Sequence, residues 1–298
     1  MFLGEFLFNA SKLNDVKSIA ADYALATALI KKAVAKVARR SNGRVKEANV
    51  TTYMHGSYAN VTNIWFPSNL EIAVELNVPA YEFKIENDYW VAHTLPYSPE
   101  QFRSDLHAAL REVAKTELPL TNKTLLLLKN EKLHHTVEIM PCITFKTGVL
   151  LYDDASKRDI VTYPRVHRQN GDLKDMATHG NFKRMVRLFK TLAAIGAREY
   201  QNVPQLAHKT RGYFIECLLF NVPNQIFNGE NLADVFTKVL NYLLHANFRD
   251  FVCQNRVWQL FGAAAEFWNE RDAHAFVGGI KWLAKNFPEN REKLVANA

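Results

Sequence analysis

Cysteine is scarce in this chain of 298 residues, and Cys142, Cys217 and Cys253 stand singly in apolar surroundings. That spacing suits neither a disulfide framework nor a zinc site, so a reducing cytoplasm is the expected setting. Long apolar runs are missing as well. Uncharged apolar stretches such as 125–128 fall far short of the roughly 18 residues that cross a bilayer, so no membrane contact is expected. The apolar opening Met1 to Phe8 is interrupted by Glu5, is preceded by no basic segment and is followed by no small-residue cleavage site. It reads as packing rather than as a signal peptide. Internal repeats, low-complexity tracts and flexible linkers are absent too, which predicts lobes that pack closely.

What is present is enough for a large core, with 48% hydrophobic and 22% charged residues. A formal net charge of +7 favours anionic partners, nucleotides or nucleic acid among them.

Val16, Ile19, Ala20, Tyr23, Ala26, Ile30, Ala33 and Val37 recur at helical spacing and predict a long first helix over 14–40, stopped near Asn42-Gly43. A short strand is expected over 50–54, then a turn at His55-Gly56-Ser57. From 69 to 76 the chain alternates. Leu70, Ile72, Val74 and Leu76 mark a core face, and Asn69, Glu71, Ala73 and Glu75 a working face. Ser98 and Pro99 open a helix expected to run to 116. Strands are expected over 124–128 and 136–140, the second ended by Pro141. Tyr152, Asp153, Asp154, Lys157 and Arg158 read as a loop between the lobes. Later the patterns are helical, over 181–200, 211–219, 231–245 and 274–286. The fold class is therefore α+β, with a mixed-sheet lobe over 1–163 and a helical lobe over 164–298.

Two polar residues separated by one position on a strand point the same way, so Asn69 and Glu71 share a face. Glu138, between the apolar Val137 and Ile139, is placed to add a third oxygen ligand from a neighbouring strand. Such a platform suits divalent cations of the Mg²⁺ or Mn²⁺ type. Two of them serve nucleotidyl transfer, one activating the attacking hydroxyl and one steadying the leaving pyrophosphate. Gly56-Ser57, opening a helix, supplies backbone donors that a triphosphate needs.

The stretch Gly56-Ser57-Tyr58, Thr62-Asn63 and Pro67 to Leu76 resembles the signature of cGAS/DncV-like nucleotidyltransferases, relatives of the oligoadenylate synthetases within the polymerase-β superfamily. The likeness continues through Val137 to Pro141, the helix over 181–192 and Gly212 to Pro223. It implies a nucleotidyltransferase lobe on a C-terminal helical lobe with a nucleotide cleft between them. Nucleoside triphosphates would be the substrates, with ribose and deoxyribose both open, and the product a cyclic or linear oligonucleotide signal. A prokaryotic antiphage setting with a separate effector protein is implied with it. The family's metal ligands are usually Asp, whereas here they are Asn69, Glu71 and Glu138. Asn69 keeps an oxygen but discards a charge, whether as a natural variant or an introduced change. A protein that binds nucleotide, nucleic acid or a partner without turnover is the alternative.

The resemblance also sets Lys190 against the triphosphate and lets Tyr213 stack on the base or sugar, with core packing the other reading of Tyr213. Lys183 and Arg187 share the Lys190 face, as further phosphate contacts or as a solvated stripe. Glu216 is expected to pair with Arg or Lys. His134, His135 and His167 match no zinc spacing. Trp258, Phe261, Phe267 and Trp268 are expected to pack in the core or form a partner interface.

Overall fold

The computed structural model describes residues 16–64, 68–77, 83–86, 89–92, 97–199, 212–262 and 268–286. The apolar opening, Pro67, Phe267 and Arg211 lie outside them. Helix α1 (Val16–Arg40) buries Ile19, Ala26, Ile30, Ala33 and Val37, as their spacing predicts, with Val34 beside them, whereas Ala20 is exposed. Among the described residues, 16–59 and 68–166 form one compact unit, and 60–64 with 167–286 form another.

The first unit is built on a mixed sheet. Strand β1 (Val50–His55) is joined through the short helix α2 (Gly56–Ala59) and residues 60–69 to β2 (Leu70–Leu76), its antiparallel partner. β2 pairs in parallel with β6 (Val137–Phe145). A separate two-stranded antiparallel sheet holds β3 (Phe83–Glu86) and β4 (Tyr89–Ala92). β5 (Leu125–Leu127) lies antiparallel to the first residues of β6, and β7 (Gly148–Asp153) to its last. β8 (Arg158–Thr162) closes the order β1-β2-β6-β7-β8.

Leu70, Ile72, Val74, Leu76, Val137, Ile139 and Ile143 form the apolar face that packs with α1 and α3 (Pro99–Ala114). Ser98 caps α3, its Oγ accepting from the Gln101 amide at 3.1 Å, and Pro99 stands in the first turn where no N–H is missed. The opposite face carries Glu71, Glu75 and Glu138. Glu75 is fully buried, with Arg165 Nη1 at 2.7 Å and the Thr144 hydroxyl at 2.8 Å.

Three expectations change. Pro141 does not end its strand, because β6 runs on to Phe145. On the side away from β2, β5 covers residues 137–139 and β7 covers 143–145. Pro141 falls in the gap between them, where the ladder asks for no N–H. The segment around Tyr152 to Arg158 is not a loop between lobes. Tyr152, Asp153 and Arg158 lie in the β7–β8 ladder, and only the intervening residues form its turn, with Lys157 at φ 54. Finally, an unanticipated helix α4 (Pro164–Ala177) precedes the helix expected from 181.

In the second unit α5 (Asn181–Glu199), α6 (Gly212–Phe220), α7 (Leu232–His245) and α8 (Glu270–Asn286) surround a core that includes Phe182, Phe189, Leu218, Val239 and Ile280. Asn231 caps α7, its Oδ1 accepting from the amides of Ala233 and Asp234, each at 3.0 Å. Trp268 is in the core and Phe261 packs against it, whereas Trp258 is exposed. All three cysteines are free and buried, but Cys217 and Cys253 are not isolated. The amide of Gln254 donates to Cys217 Sγ at 3.3 Å, which brings the two thiols' chain segments together. Among the described residues no helix is long and apolar enough to cross a membrane.

Candidate active site

The working face of the sheet brings together what the sequence separates. Glu71 and Glu138 are direct register partners on the parallel strands β2 and β6, so their side chains leave the sheet on the same side. His55, opposite Glu71 on β1, shares that side. Burial pushes the His55 imidazole down to about 4, so it stands neutral beside Glu71 and offers no countercharge.

Gly56 follows at φ +68, in the left-handed region that glycine enters without strain. Its missing side chain matters twice, because a Cβ there would overlap the Glu71 carboxylate. The carboxylate instead reaches the turn, and the amide of Ser57 donates to Glu71 Oε2 at 3.2 Å. Ser57 thus presents a backbone donor towards an anion, the property its position after Gly56 predicts.

Glu138 is held from two sides. Thr124 Oγ1 donates to its Oε1 at 2.7 Å and Asn69 Nδ2 to its Oε2 at 3.3 Å. An ionised carboxylate only accepts, so Asn69 must turn its nitrogen to Glu138 and its oxygen elsewhere. Asn69, Glu71 and Glu138 are therefore neighbours, joined by strand register and this contact. Among the described residues no three His, Cys, Asp or Glu side chains cluster in a way that would hold a metal ion. Two carboxylates with one amide oxygen nevertheless fit a single Mg²⁺, an ion that commonly takes one or two carboxylates and completes its shell with water and substrate phosphate.

The expected nucleotide contacts of the helical unit have a different character. Lys190 on α5 is 8% exposed. Its Nζ donates to the carbonyl and hydroxyl of Thr62, at 3.3 and 3.1 Å, and to Glu216 Oε1 at 2.5 Å. An ammonium has three donors, and these contacts use three. Lys183 and Arg187 are buried as well, Lys183 against Asp172 and Arg187 on the carbonyl of Val61 at 2.5 Å. This face is no solvated stripe.

Glu216 on α6 collects four donors: Asn60 Nδ2 at 3.0 Å, Thr62 Oγ1 at 2.6 Å, His167 Nε2 at 2.7 Å and Lys190. Burial works to raise its carboxyl, but the Lys190 ammonium and the His167 hydrogen bond hold it well below the usual range. Pairing of Glu216 with a lysine was expected, but the hold on residues 60–64 was not. Thr62 lies in the resembling signature, and a lone Asn or Thr elsewhere gives no such signal. Tyr213 is 42% exposed and stacks on His167 with ring centroids 5.0 Å apart. His134 and His135 both bind the buried carboxylate of Asp22, through Nδ1 at 3.0 and 2.8 Å and through their amides.

Comparison with known proteins identifies the family. Residues 169–284 match the model of the cGAS/DncV-like nucleotidyltransferase C-terminal helical domain. A cyclic UMP-AMP synthase of Rhodothermus marinus is 32% identical over 244 residues, 76% of this chain and 81% of that one. Cyclic nucleotide synthase CdnE01 of Staphylococcus haemolyticus is 26% identical over 276 residues, 83% of this chain and 89% of its own. The structure of the Rhodothermus marinus CdnE c-UMP-AMP synthase with Apcpp and Upnpp superimposes with a TM-score of 0.72 at 26% identity, covering 95% of this chain and 96% of that one. With a glycine turn against paired acidic strands and a matching helical domain, the chain belongs to the cGAS/DncV-like nucleotidyltransferases.

Proposed function

We propose that this nucleotidyltransferase joins nucleoside triphosphates into a cyclic or linear oligonucleotide signal, with Gly56 and Ser57 receiving the triphosphate and Glu71 and Glu138 forming the acidic centre. The register of Glu71 beside Glu138, with the Ser57 amide at 3.2 Å from Glu71 Oε2, carries this assignment. The same amide that donates to a carboxylate in the free protein is a donor for a phosphate oxygen.

Glu71, Glu138 and, after an amide flip, the Asn69 oxygen would hold Mg²⁺ or Mn²⁺. Ions held there would supply a lowered pKa for the attacking hydroxyl and charge neutralisation at the leaving pyrophosphate. The protein's own part is to keep both carboxylates on one face, with the neutral His55 alongside, and to fix the phosphates by backbone donors. Tyr213, partly exposed, would stack on a base or sugar. Lys190 serves the nucleotide by anchoring Thr62, or by exchanging that contact for a phosphate. The relatives' names point to cyclic dinucleotides, and the family likeness to cytoplasmic antiphage defence with a separate effector protein.

Asn69 favours a second reading, binding without turnover, because its amide donates to Glu138 where the family pattern has a third carboxylate. Labelled NTPs and dNTPs with Mg²⁺ or Mn²⁺ decide between them. A small product from the wild type that vanishes in Glu71→Ala supports catalysis. No product from the wild type, with product restored in Asn69→Asp, establishes the second reading, and product surviving Glu71→Ala would move the active site elsewhere.

A further inference from the structure

Glu138 is one methylene longer than the aspartate of the family pattern, and a longer stem gives its carboxylate more rotamers to lose when it is put to use. The structure contains a device that removes this freedom. Thr124 Oγ1 lies 2.7 Å from Glu138 Oε1 and also 2.7 Å from Thr121 Oγ1. The carboxylate cannot donate, so the Thr124 proton must go to Glu138, and the Thr121 proton then goes to Thr124, whose hydroxyl at 2.7 Å is the nearer acceptor and whose carbonyl lies at 3.4 Å. The direction of the chain is fixed: Thr121 to Thr124 to Glu138.

Thr121 is itself braced. Its hydroxyl accepts from the amides of Lys123 at 3.2 Å and Thr124 at 2.9 Å, and its carbonyl accepts from Arg103 Nη2 at 2.7 Å. Arg103 is a buried residue of α3, and Thr124 is 6% exposed. A relay of this kind polarises each successive hydroxyl and aims the last one at one carboxylate oxygen. Asn69 Nδ2 takes the other oxygen at 3.3 Å.

We infer that Thr124 is a positioning residue of the acidic centre: it holds Glu138 in the orientation that receives a divalent cation, without touching cation or substrate. This rests on the assignment of Glu138 to that centre. Partners behind metal ligands commonly alter metal affinity or activity by about 10- to 100-fold.

The test uses the full chain and Mn²⁺, whose free concentration is read by electron paramagnetic resonance in the presence of a non-hydrolysable nucleoside triphosphate, beside kcat and KM. Thr124→Val keeps the shape and removes the donor, whereas Thr124→Ser keeps the donor. Weaker Mn²⁺ binding and lower kcat by about tenfold in Thr124→Val, with KM for the nucleotide unchanged and both values recovered in Thr124→Ser, are expected. In a Glu138→Ala background Thr124→Val should change Mn²⁺ affinity no further. If circular dichroism finds Thr124→Val unfolded, the smaller Thr124→Ala takes its place. A folded donorless variant with wild-type Mn²⁺ affinity overturns the inference, as does a Thr124→Ser protein as impaired as Thr124→Val. Wild type that binds Mn²⁺ but makes no product sinks the catalytic reading alone, and Mn²⁺ affinity then decides for Thr124. Wild type that binds no Mn²⁺ overturns both.

Discussion

The Glu71 carboxylate fills the space that a side chain at Gly56 would need. Turn and acidic strand are thus fitted to each other before any substrate arrives, and the fit tolerates no Cβ. In Gly56→Ala the new methyl group must displace Glu71, and a positive φ adds about 1–2 kcal/mol of strain for an L-residue. Product formation should fall by at least about tenfold, equivalent to about 1.4 kcal/mol. Melting temperature and initial rate, measured together, separate misplacement from unfolding: a variant with unchanged rate would show that Glu71 has no role in the centre.

Asn69→Asp exchanges a donor to Glu138 for a like charge at the same place. Without metal the variant should melt below the wild type. Mg²⁺ or Mn²⁺ should then raise its melting temperature more than that of the wild type, and the rate should increase by up to about a hundredfold, or about 2.7 kcal/mol. A rate equal to or below that of the wild type at saturating metal would mean the centre is adapted to the amide.

Glu216→Ala leaves the Lys190 ammonium buried without its partner. A loss of about 3–5 kcal/mol in urea unfolding is expected, and the double variant Lys190→Met, Glu216→Gln, which keeps an acceptor oxygen for the remaining donors, should regain part of it. The Glu216 carboxyl is depressed in the folded protein, so its stabilisation is fully present above the ordinary value of 4.5 and lost only in strong acid. If the double variant is no more stable than Glu216→Ala, the pair is not coupled as the geometry indicates.

Asp159, opposite Tyr152 in the β7–β8 ladder, works in the other direction. Burial, with Glu100 nearby, raises its carboxyl to about 6. A raised folded pKa favours the folded state below the unfolded value of 3.8, and this contribution is lost as pH rises through about 6. At pH above 6 the folded protein carries a poorly solvated charge. Asp159→Asn should therefore melt above the wild type at neutral pH, with the advantage gone in acid. Parallel melting curves at every pH would refute it.

Much of the fold was legible because single residues dictate it locally. The stripe of α1, the alternation of β2 and the Ser98-Pro99 start of α3 each specify an element without help from distant residues. Pro141 misled because whether a strand needs an N–H depends on which neighbours flank it, here β5 and β7. The β7–β8 ladder was hidden by the charged turn at its tip. For the site, Gly56, Ser57, Glu71 and Glu138 could be read from their order along the chain. Thr124 and the inward turn of Lys183, Arg187 and Lys190 could not, because a hydroxyl or a cation shows its partner only after the chain has folded.

Residues 60–64 separate Ser57 from Asn69 in the chain, yet Glu216 and Lys190 hold them. β6, which brings Glu138 beside Glu71, also lies far downstream of β2. A ribosome that has released only the first two strands has therefore made neither the second carboxylate nor the anchor of the connecting segment. The second carboxylate comes only with β6 and the anchor only with α5 and α6, so a nascent chain stopped before them lacks both. For an enzyme whose product is a signal, synthesis itself becomes a safeguard against premature firing.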